Sequence, residues 1–330
     1  MSKKIIAQNE EVVIGADVSD KTHHIAVSIG GKVIRDKALK PTNGTWEEFL
    51  RTRLPGCRVK VVYEAGPQGY TLYDVIRALG HEAVVIAPVK NPGVKTNTRD
   101  ARMIVHDYLA GRSSAVCVPS FEKRVARQTL RVRDMLMKEV KRTQNRINAI
   151  MRFHAISGTM RAVKEDSAGA LSNCLAMLAD MLAQLRVKIN EIDQALAAIA
   201  ESEPFREQVE KLTKIKGIGT LSALEIVLGV ADISAFRNAA AFASYTGLCP
   251  GEWSTGEKRR VGRITRRGPG RLRGVLVQCS WSRVRFDAAE KERYTALKQR
   301  KGGKKAIVAI ARRLAVIIWR TLNSPAPCAA

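Results

Sequence analysis

The sequence predicts an α/β domain, then a pair of long helices, then a mostly helical remainder. Three observations carry this. Residues 11–112 alternate short strand-type runs with helical periods. From Leu171 apolar residues recur in four-three steps over four heptads. Residues 204–330 hold helical segments separated by glycine turns and a basic stretch. The boundaries fall at 1–119, 120–203 and 204–330, and 330 residues suffice for several cores.

The elements follow in order. Val12–Val18 (VVIGADV) reads as a strand, with His24–Ile29 and Lys32–Leu39 paired around Gly30-Gly31 as a hairpin. Thr45–Arg53 is a short helix, and Val59–Glu64 (VKVVYE) a buried-type strand. Tyr70–Leu79 is helical by the spacing of Leu72, Val75, Ile76 and Leu79, with Gly80 as its stop. Ala83–Ala87 is a fifth strand, ended by Pro88, and a helix follows from about Thr98 to Ala110. Three antiparallel strands followed by αβαβα is the order of ribonuclease-H-like domains; fold order is an analogy, and function has to come from the site.

Leu171, Leu175, Leu178, Leu182, Leu185, Ile189, Ile192, Leu196 and Ile199 form the seam of a coiled coil. Residues 121–152 are also helical, with Val125, Val132, Leu136, Val140, Ile147 and Ile150 on a stripe, and a bend around 157–169 makes the two a hairpin. The first helix carries ten Lys/Arg against three acids, a face that suits a phosphate backbone or simply solvent. In Lys214–Ala223 (KIKGIGTLSA), Lys216, Gly217 and Gly219 fit a helix-hairpin-helix turn, where glycines let backbone N–H groups approach a phosphate. Ser254–Arg273 (STGEKRRVGRITRRGPGRLR) reads as a flexible basic loop, and Ile307–Leu322 as a core helix.

Charge narrows the partner. There are 56 Lys+Arg against 31 Asp+Glu, a net charge of +25. An enzyme of small molecules gains nothing from such self-repulsion, so the partner is a polyanion, with nucleic acid ahead of an anionic membrane surface. Ala306–Trp319 is the most apolar stretch, but Arg312 and Arg313 interrupt it and it is too short to span a bilayer. The N-terminus lacks the apolar run of a secretory signal, and the six cysteines show no metal or disulfide spacing, so the expected compartment is a reducing cytoplasm.

Asp17 ends the first strand and Glu64 the fourth, while Asn97 and Asp100 open the helix after the fifth. Strand-end carboxylates converging with one on a neighbouring helix are what one or two Mg²⁺ ions need for phosphoryl transfer. Any one of these residues alone reads as a solvated strand end or a helix cap. The five histidines lack ligand spacing and are read as structural. Trp253, Trp281 and Trp319 are read as packing residues, with Trp253 also placed to stack on a base.

The sets GADVSD, VVYEAGPQGY and KTNTRDAR, then KGIGTLSA and FASYTGLCPGEWSTGEKRRVGRITRRG, resemble the DEDD transposases of bacterial insertion sequences, the group numbered one hundred and ten, which are bridge-RNA-guided recombinases. The resemblance covers residues 11–322 in the family's order. It implies a RuvC-like (RNase H fold) domain, a coiled coil, and a C-terminal transposase domain with a nucleophilic serine. It further implies Mg²⁺ on the acidic tetrad, a phosphoserine link to DNA, donor and target DNA paired with a structured guide RNA, and homodimers assembling to tetramers.

Carried over by position, Asp17, Glu64 and Asp100 match the first, second and fourth acids, and Asn97 stands where the third is expected. An amide keeps a ligand oxygen but loses the charge, so metal affinity at that corner falls; an inactivated relative stays open as a reading. Asp107, seven residues past Asp100, is a candidate to compensate. Ser254 is the less hindered hydroxyl and the favoured nucleophile, with Thr255 as the alternative. Without the serine step, the same acids describe a metal-dependent junction nuclease. Lys258, Arg259, Arg260, Arg263, Arg266, Arg267, Arg271 and Arg273 are expected to hold phosphates.

Overall fold

The computed structural model describes residues 11–66, 68–88, 97–156, 169–252 and 261–323. Trp253, Ser254, Thr255, Lys258, Arg259 and Arg260, most of the bend at 157–169, and the side chain of Asn97 lie outside the described residues. The chain divides into two compact units, Met1–Val118 and Pro119–Ala330.

The N-terminal unit is built on five strands: β1 (Glu11–Val18), β2 (His23–Ile29), β3 (Lys32–Leu39), β4 (Arg58–Glu64) and β5 (Glu82–Ile86). Their order is β3-β2-β1-β4-β5, with β1, β2 and β3 antiparallel and β4 and β5 parallel to β1. Helices cover both faces, so the central strands are apolar on both sides, as Ile14, Val61 and Val62 show at 0% exposure. On one face Trp46, Phe49 and Leu50 of α1 (Asn43–Arg53) and Leu72 and Ile76 of α2 (Thr71–Ala78) pack on Ile14, Ile25, Val61 and Val85. On the other, Ala101, Ile104 and Val105 of α3 (Asn97–Leu109) pack on Val13, Ala26, Val62 and Ile86.

Local chemistry sets the element ends. Thr42 caps α1 by accepting from the Thr45 backbone N–H, which starts the helix two residues before the predicted Thr45. Gly80, at φ +81°, follows α2 as expected for a glycine stop. The free edge of β5 is covered by residues 114–116, with the Val116 N–H donating to Val85 O at 2.7 Å.

Among the described residues, the regular elements of the C-terminal unit are helices apart from one short antiparallel strand pair. The long helices α4 (Phe121–Phe153) and α5 (Ala170–Glu201) run antiparallel: Ile147 and Met151 meet Leu175 at one end, while Ala126 and Leu130 join Leu196 and Ala200 in the C-terminal core at the other. The α5 residues Leu175, Leu182 and Leu196 are buried as their spacing predicts. The α4 stripe holds in part. Ile147 is buried with Val140 and Ile150 packed beside it, whereas Val125 and Val132 are exposed, and Ala126, Leu130, Thr143 and Met151 complete the buried face.

The remaining elements are α6 (Arg206–Thr213), α7 (Thr220–Leu228), α8 (Ala239–Tyr245), β6 (Pro250–Glu252), β7 (Val261–Ile264), α9 (Gly270–Phe286), α10 (Ala288–Lys301) and α11 (Gly303–Asn323). Helix α11 is central, with Ile310, Ala311, Leu314, Ala315 and Ile318 buried. The stretch 254–273, expected as a loop throughout, contains strand β7 and the start of α9. Among the described residues no helix is long and apolar enough to cross a membrane, and no disulfide joins the described cysteines.

One close approach positions α3. A Cβ at Gly15 would lie 2.4 Å from Ala101 O and 2.6 Å from a Val105 methyl, so β1 and α3 pack this closely only because residue 15 has no side chain. Gly15→Ala is expected to lower the stability of the N-terminal unit by about 1–3 kcal/mol, read as a shifted denaturation midpoint. Gly44→Ala, in α1 with open space around its Cβ, is expected to leave it unchanged or raise it by up to about 1 kcal/mol.

Candidate active site and nucleic-acid surface

Asp17 and Glu64 sit side by side at the carboxyl ends of parallel neighbours. Ala16 lies opposite Tyr63 in the β1–β4 ladder, and the two acids are the next residue on each strand. By the two-residue alternation of a strand, Asp17 shares a face with Val13 and Gly15, and Glu64 shares it with Val62. That is the face α3 covers. Gly15 pins Ala101 to this face, so Asp100, in the first turn of α3, is carried to the same end of the sheet. Asn97 is the first residue of that helix.

The donor set here, three carboxylates and an amide, is all oxygen and fits the preference of Mg²⁺. Among the described residues, no three His, Cys, Asp or Glu side chains stand close enough to hold a metal ion. The structure therefore places the acids on one face and at one edge without gathering them into a closed ligand cluster. Asp107 does not supply the missing charge. It is buried at 5% exposure and takes two guanidinium hydrogen bonds from Arg112, at 3.0 and 2.7 Å, at the far end of α3.

A relay that starts in the core and ends at the surface, invisible to sequence reasoning, braces this edge. The Trp46 indole N–H donates to His23 Nδ1 at 3.0 Å. Indole is a donor only, so the His23 proton resides on Nε2 and is given to Gln68 Oε1, 3.2 Å away. Gln68 Nε2 in turn donates to Asp20 Oδ1 at 3.0 Å. The relay ties the residues that follow Asp17 to those that follow Glu64. Burial holds His23 below the ordinary imidazole range, against the opposing effects of the Gln68 bond and the Asp17 charge.

The helix-hairpin-helix expectation divides. A Cβ at Gly217 would meet the Arg283 backbone N at 2.7 Å, so this glycine, at φ +90°, admits helix α9 rather than a phosphate. Gly219 has open space around it and caps α7, and Lys216 beside it is exposed.

The basic stretch divides as well. Arg271 Nη2 donates to Glu225 at 2.8 Å and its Nη1 pairs with Asp134, so this guanidinium is engaged inside the protein. Burial raises the Glu225 carboxyl, with Arg133 acting in the opposite direction. Arg273 donates to the Thr246 carbonyl at 3.2 Å. Arg263, Arg266 and Arg267 are exposed, and no acid among the described residues pairs with them.

The chain beneath this basic stretch is fixed by a crossing of two backbones. A Cβ at Gly247 would fall 2.2 Å from Arg267 O, and one at Gly268 would fall 1.9 Å from Tyr245 O. Arg266 between them takes φ +54°, a conformation that favours glycine. Above the crossing, Glu252 pairs with Val261, the strand residues that flank the segment holding Ser254 and Thr255. Trp319 packs against the C-terminal core as expected, whereas Trp281 is 47% exposed and lies outside the buried core, in contact with the Tyr294 ring.

Comparison with known proteins gives the class, that of the insertion-sequence transposases. The family model described as transposase IS116/IS110/IS902 family matches residues 209–295. The chain is 30% identical over 305 residues to y4qE of Sinorhizobium fredii, a protein assigned as a transposase, covering 84% of this chain and 73% of that one. It is 25% identical to the transposase of insertion sequence element IS1533 of Leptospira borgpetersenii, over 96% of this chain and 97% of the relative. It is 24% identical to the transposase of IS1111A of Coxiella burnetii, over 94% and 89%. The chain belongs to the IS116/IS110/IS902 family of transposases.

Arg271→Ala leaves a mostly buried Glu225 without this partner and is expected to cost about 1–3 kcal/mol of stability in a denaturant melt. Arg263→Ala and Arg267→Ala are expected to leave the melt unchanged and to lower the salt slope of DNA binding by about one each. For His23 the folded pKa lies below the unfolded value of about 6.5, so the unfolded chain takes up the proton first. Its contribution to stability is thus complete above about pH 6.5 and shrinks as pH falls from there towards the folded pKa. A nitrogen-15 titration is expected to show His23 losing its proton below the ordinary imidazole range, with the neutral ring protonated at Nε2.

Proposed function

We propose that this transposase is an RNA-guided DNA recombinase that joins a metal-binding acidic edge to a serine nucleophile. The observation that carries the reading is the placement of Asp17 and Glu64 on neighbouring strand ends, under a helix that brings Asp100 to the same edge. The sheet order β3-β2-β1-β4-β5, with helices on both faces, supports assigning the N-terminal unit to the RNase-H-like, RuvC-type folds. The antiparallel α4–α5 pair supports the coiled-coil reading, as do the heptads of α5. On this reading the chain is organised functionally as 1–119, 120–203 and 204–330.

Asp17, Glu64, Asn97 and Asp100 would hold one or two Mg²⁺ ions, which supply positive charge to the scissile phosphate and activate the attacking oxygen. The Ser254 hydroxyl, or that of Thr255, attacks phosphorus. The Oγ–P bond forms as the bond to the leaving nucleoside oxygen breaks, and that oxygen ends as a hydroxyl. The hydroxyl of the exchanging strand then attacks the phosphoserine, restoring the serine and joining the new strand. Arg263, Arg266 and Arg267, with Arg259 and Arg260, hold the backbone through bidentate phosphate contacts, Lys258 adds a point charge, and Lys216 and Gly219 form a second contact at the start of α7. Base pairing by a structured guide RNA supplies the sequence choice for donor and target DNA. Homodimers assemble to tetramers that complete each site. The net charge of +25 supports a polyanionic partner throughout.

Incubation with matched RNA and a nicked suicide DNA tests this. A covalent protein–DNA adduct is expected, lost in Ser254→Ala and retained in Thr255→Ala. Clean hydrolysis to a free 5′ phosphate without an adduct would establish a junction nuclease instead. Asn97→Asp is expected to tighten Mg²⁺ about tenfold, or ~1.4 kcal/mol, and to speed strand cutting. No recombination in Asn97→Asp with matched RNA would indicate an inactive nucleic-acid-binding relative.

A further inference from the structure

Helices α9 and α10 form a cleft that the recombination reading does not use. It has a volume of about 680 Å³ and is lined by Trp281, Phe286, Tyr294, Arg285 and Lys291. Its aromatic surface is open: Trp281 is 47% exposed and Phe286 68% exposed. The Trp281 and Tyr294 rings meet at 5.4 Å and 65°, an edge-on contact that holds the indole while about half of it stays exposed. Two cations stand at the same cleft. Arg285 and Lys291 are exposed, no carboxylate lines the cleft, and no acid among the described residues pairs with either side chain.

Of the acids nearby, Glu292 is exposed beside Lys291 and does not line the cleft, while Asp287 and Glu290 are already committed. Asp287 caps α10 by accepting from the Ala289 and Glu290 N–H groups, at 3.1 and 3.3 Å, and lies 3.7 Å from Arg283. Glu290 is buried at 2% exposure among Arg283, Arg293 and Arg313. The cleft therefore presents flat π surface and uncompensated positive charge together. A ligand that matches both carries a planar apolar face and an anion within one residue's length, which describes a nucleotide. A duplex buries its base faces in its own stack, so the match requires an unpaired strand. A second copy of this chain is a poor occupant, because it brings a like net charge to a rim with no acid to receive it.

We propose that the α9–α10 cleft is a stacking site for an unpaired base of a single DNA strand, with Trp281 and Phe286 as the platform and Arg285 and Lys291 on the adjoining phosphates. The choice of DNA rests on the reading of this chain as acting on DNA. Strand exchange leaves unpaired bases that such a site would keep apart.

The test uses the full chain and measures fluorescence anisotropy with labelled oligo(dT), oligo(U) and a duplex of equal length. Trp281→Ala and Phe286→Ala are each expected to weaken oligo(dT) binding about tenfold while leaving duplex affinity and salt slope unchanged. Trp281→Phe, which keeps an aromatic face, is expected to recover most of the loss, which separates stacking from misfolding. Arg285→Ala with Lys291→Ala is expected to lower the salt slope for oligo(dT) by about one to two. The proposal is overturned if Trp281→Ala and Phe286→Ala bind oligo(dT) like the parent, if duplex binding falls equally, or if oligo(U) binds more tightly than oligo(dT). A fall in oligomer mass on Trp281→Ala, with oligo(dT) binding kept, would make the cleft a protein interface. Loss of all DNA binding by the parent chain would instead defeat the DNA reading, a result distinct from duplex binding without a Trp281 effect.

Discussion

The absence of a side chain at Gly15 is the constraint on which the acidic edge depends. Residue 15 lies two places before Asp17 on the same strand face, and the backbone of α3 occupies the space a Cβ would take. Any larger residue would push α3 away from β1, and Asp100 with it. Parallel pairing of β1 with β4 does the rest by setting Asp17 beside Glu64. The acids are thus positioned by backbone packing, before any contact of their own. The Trp46–His23–Gln68–Asp20 relay then ties together the two segments that leave those strands.

The distribution of charge is as informative as its total. Acids are the minority, and several of the best placed are consumed in holding arginines: Asp107 holds Arg112, Glu225 holds Arg271, and Glu290 gathers Arg283, Arg293 and Arg313. These pairs fix the helical framework. They also leave the basic residues of β7 and the following turn, and those at the α9–α10 cleft, with no acid of their own among the described residues. The positive field therefore emerges from selected faces of a framework that is internally neutralised.

Much of the fold was legible because burial on one or two faces leaves a period in the sequence. All five strands of the N-terminal unit came from such runs, and Gly80 marked a helix end through a property only glycine has freely. What was not legible depends on partners distant in the chain. Arg271 reads as one more phosphate-binding guanidinium until folding brings Glu225, 46 residues away, against it. Gly217 reads as a phosphate turn until the backbone of α9 fills its open side. Part of the α4 face was misread because Ala126 and Thr143 can line a seam without looking apolar enough to mark it. Of the candidate site, the strand-end position of Asp17 and Glu64 was readable, whereas their shared face with α3 required the ladder register. Trp281 gave no signal, because exposure of a large ring is a property of its neighbours.

The backbone crossing at Gly247 and Gly268 has a consequence for how this protein could change over generations. Between those glycines Arg266 holds a left-handed conformation that a Cβ disfavours, with its guanidinium on the outside. Glycine would relax the chain there, so a lineage selected for heat resistance would be drawn to that exchange and would lose a cation at its nucleic-acid surface with every success. Position 266 is where durability and grip compete for a single codon.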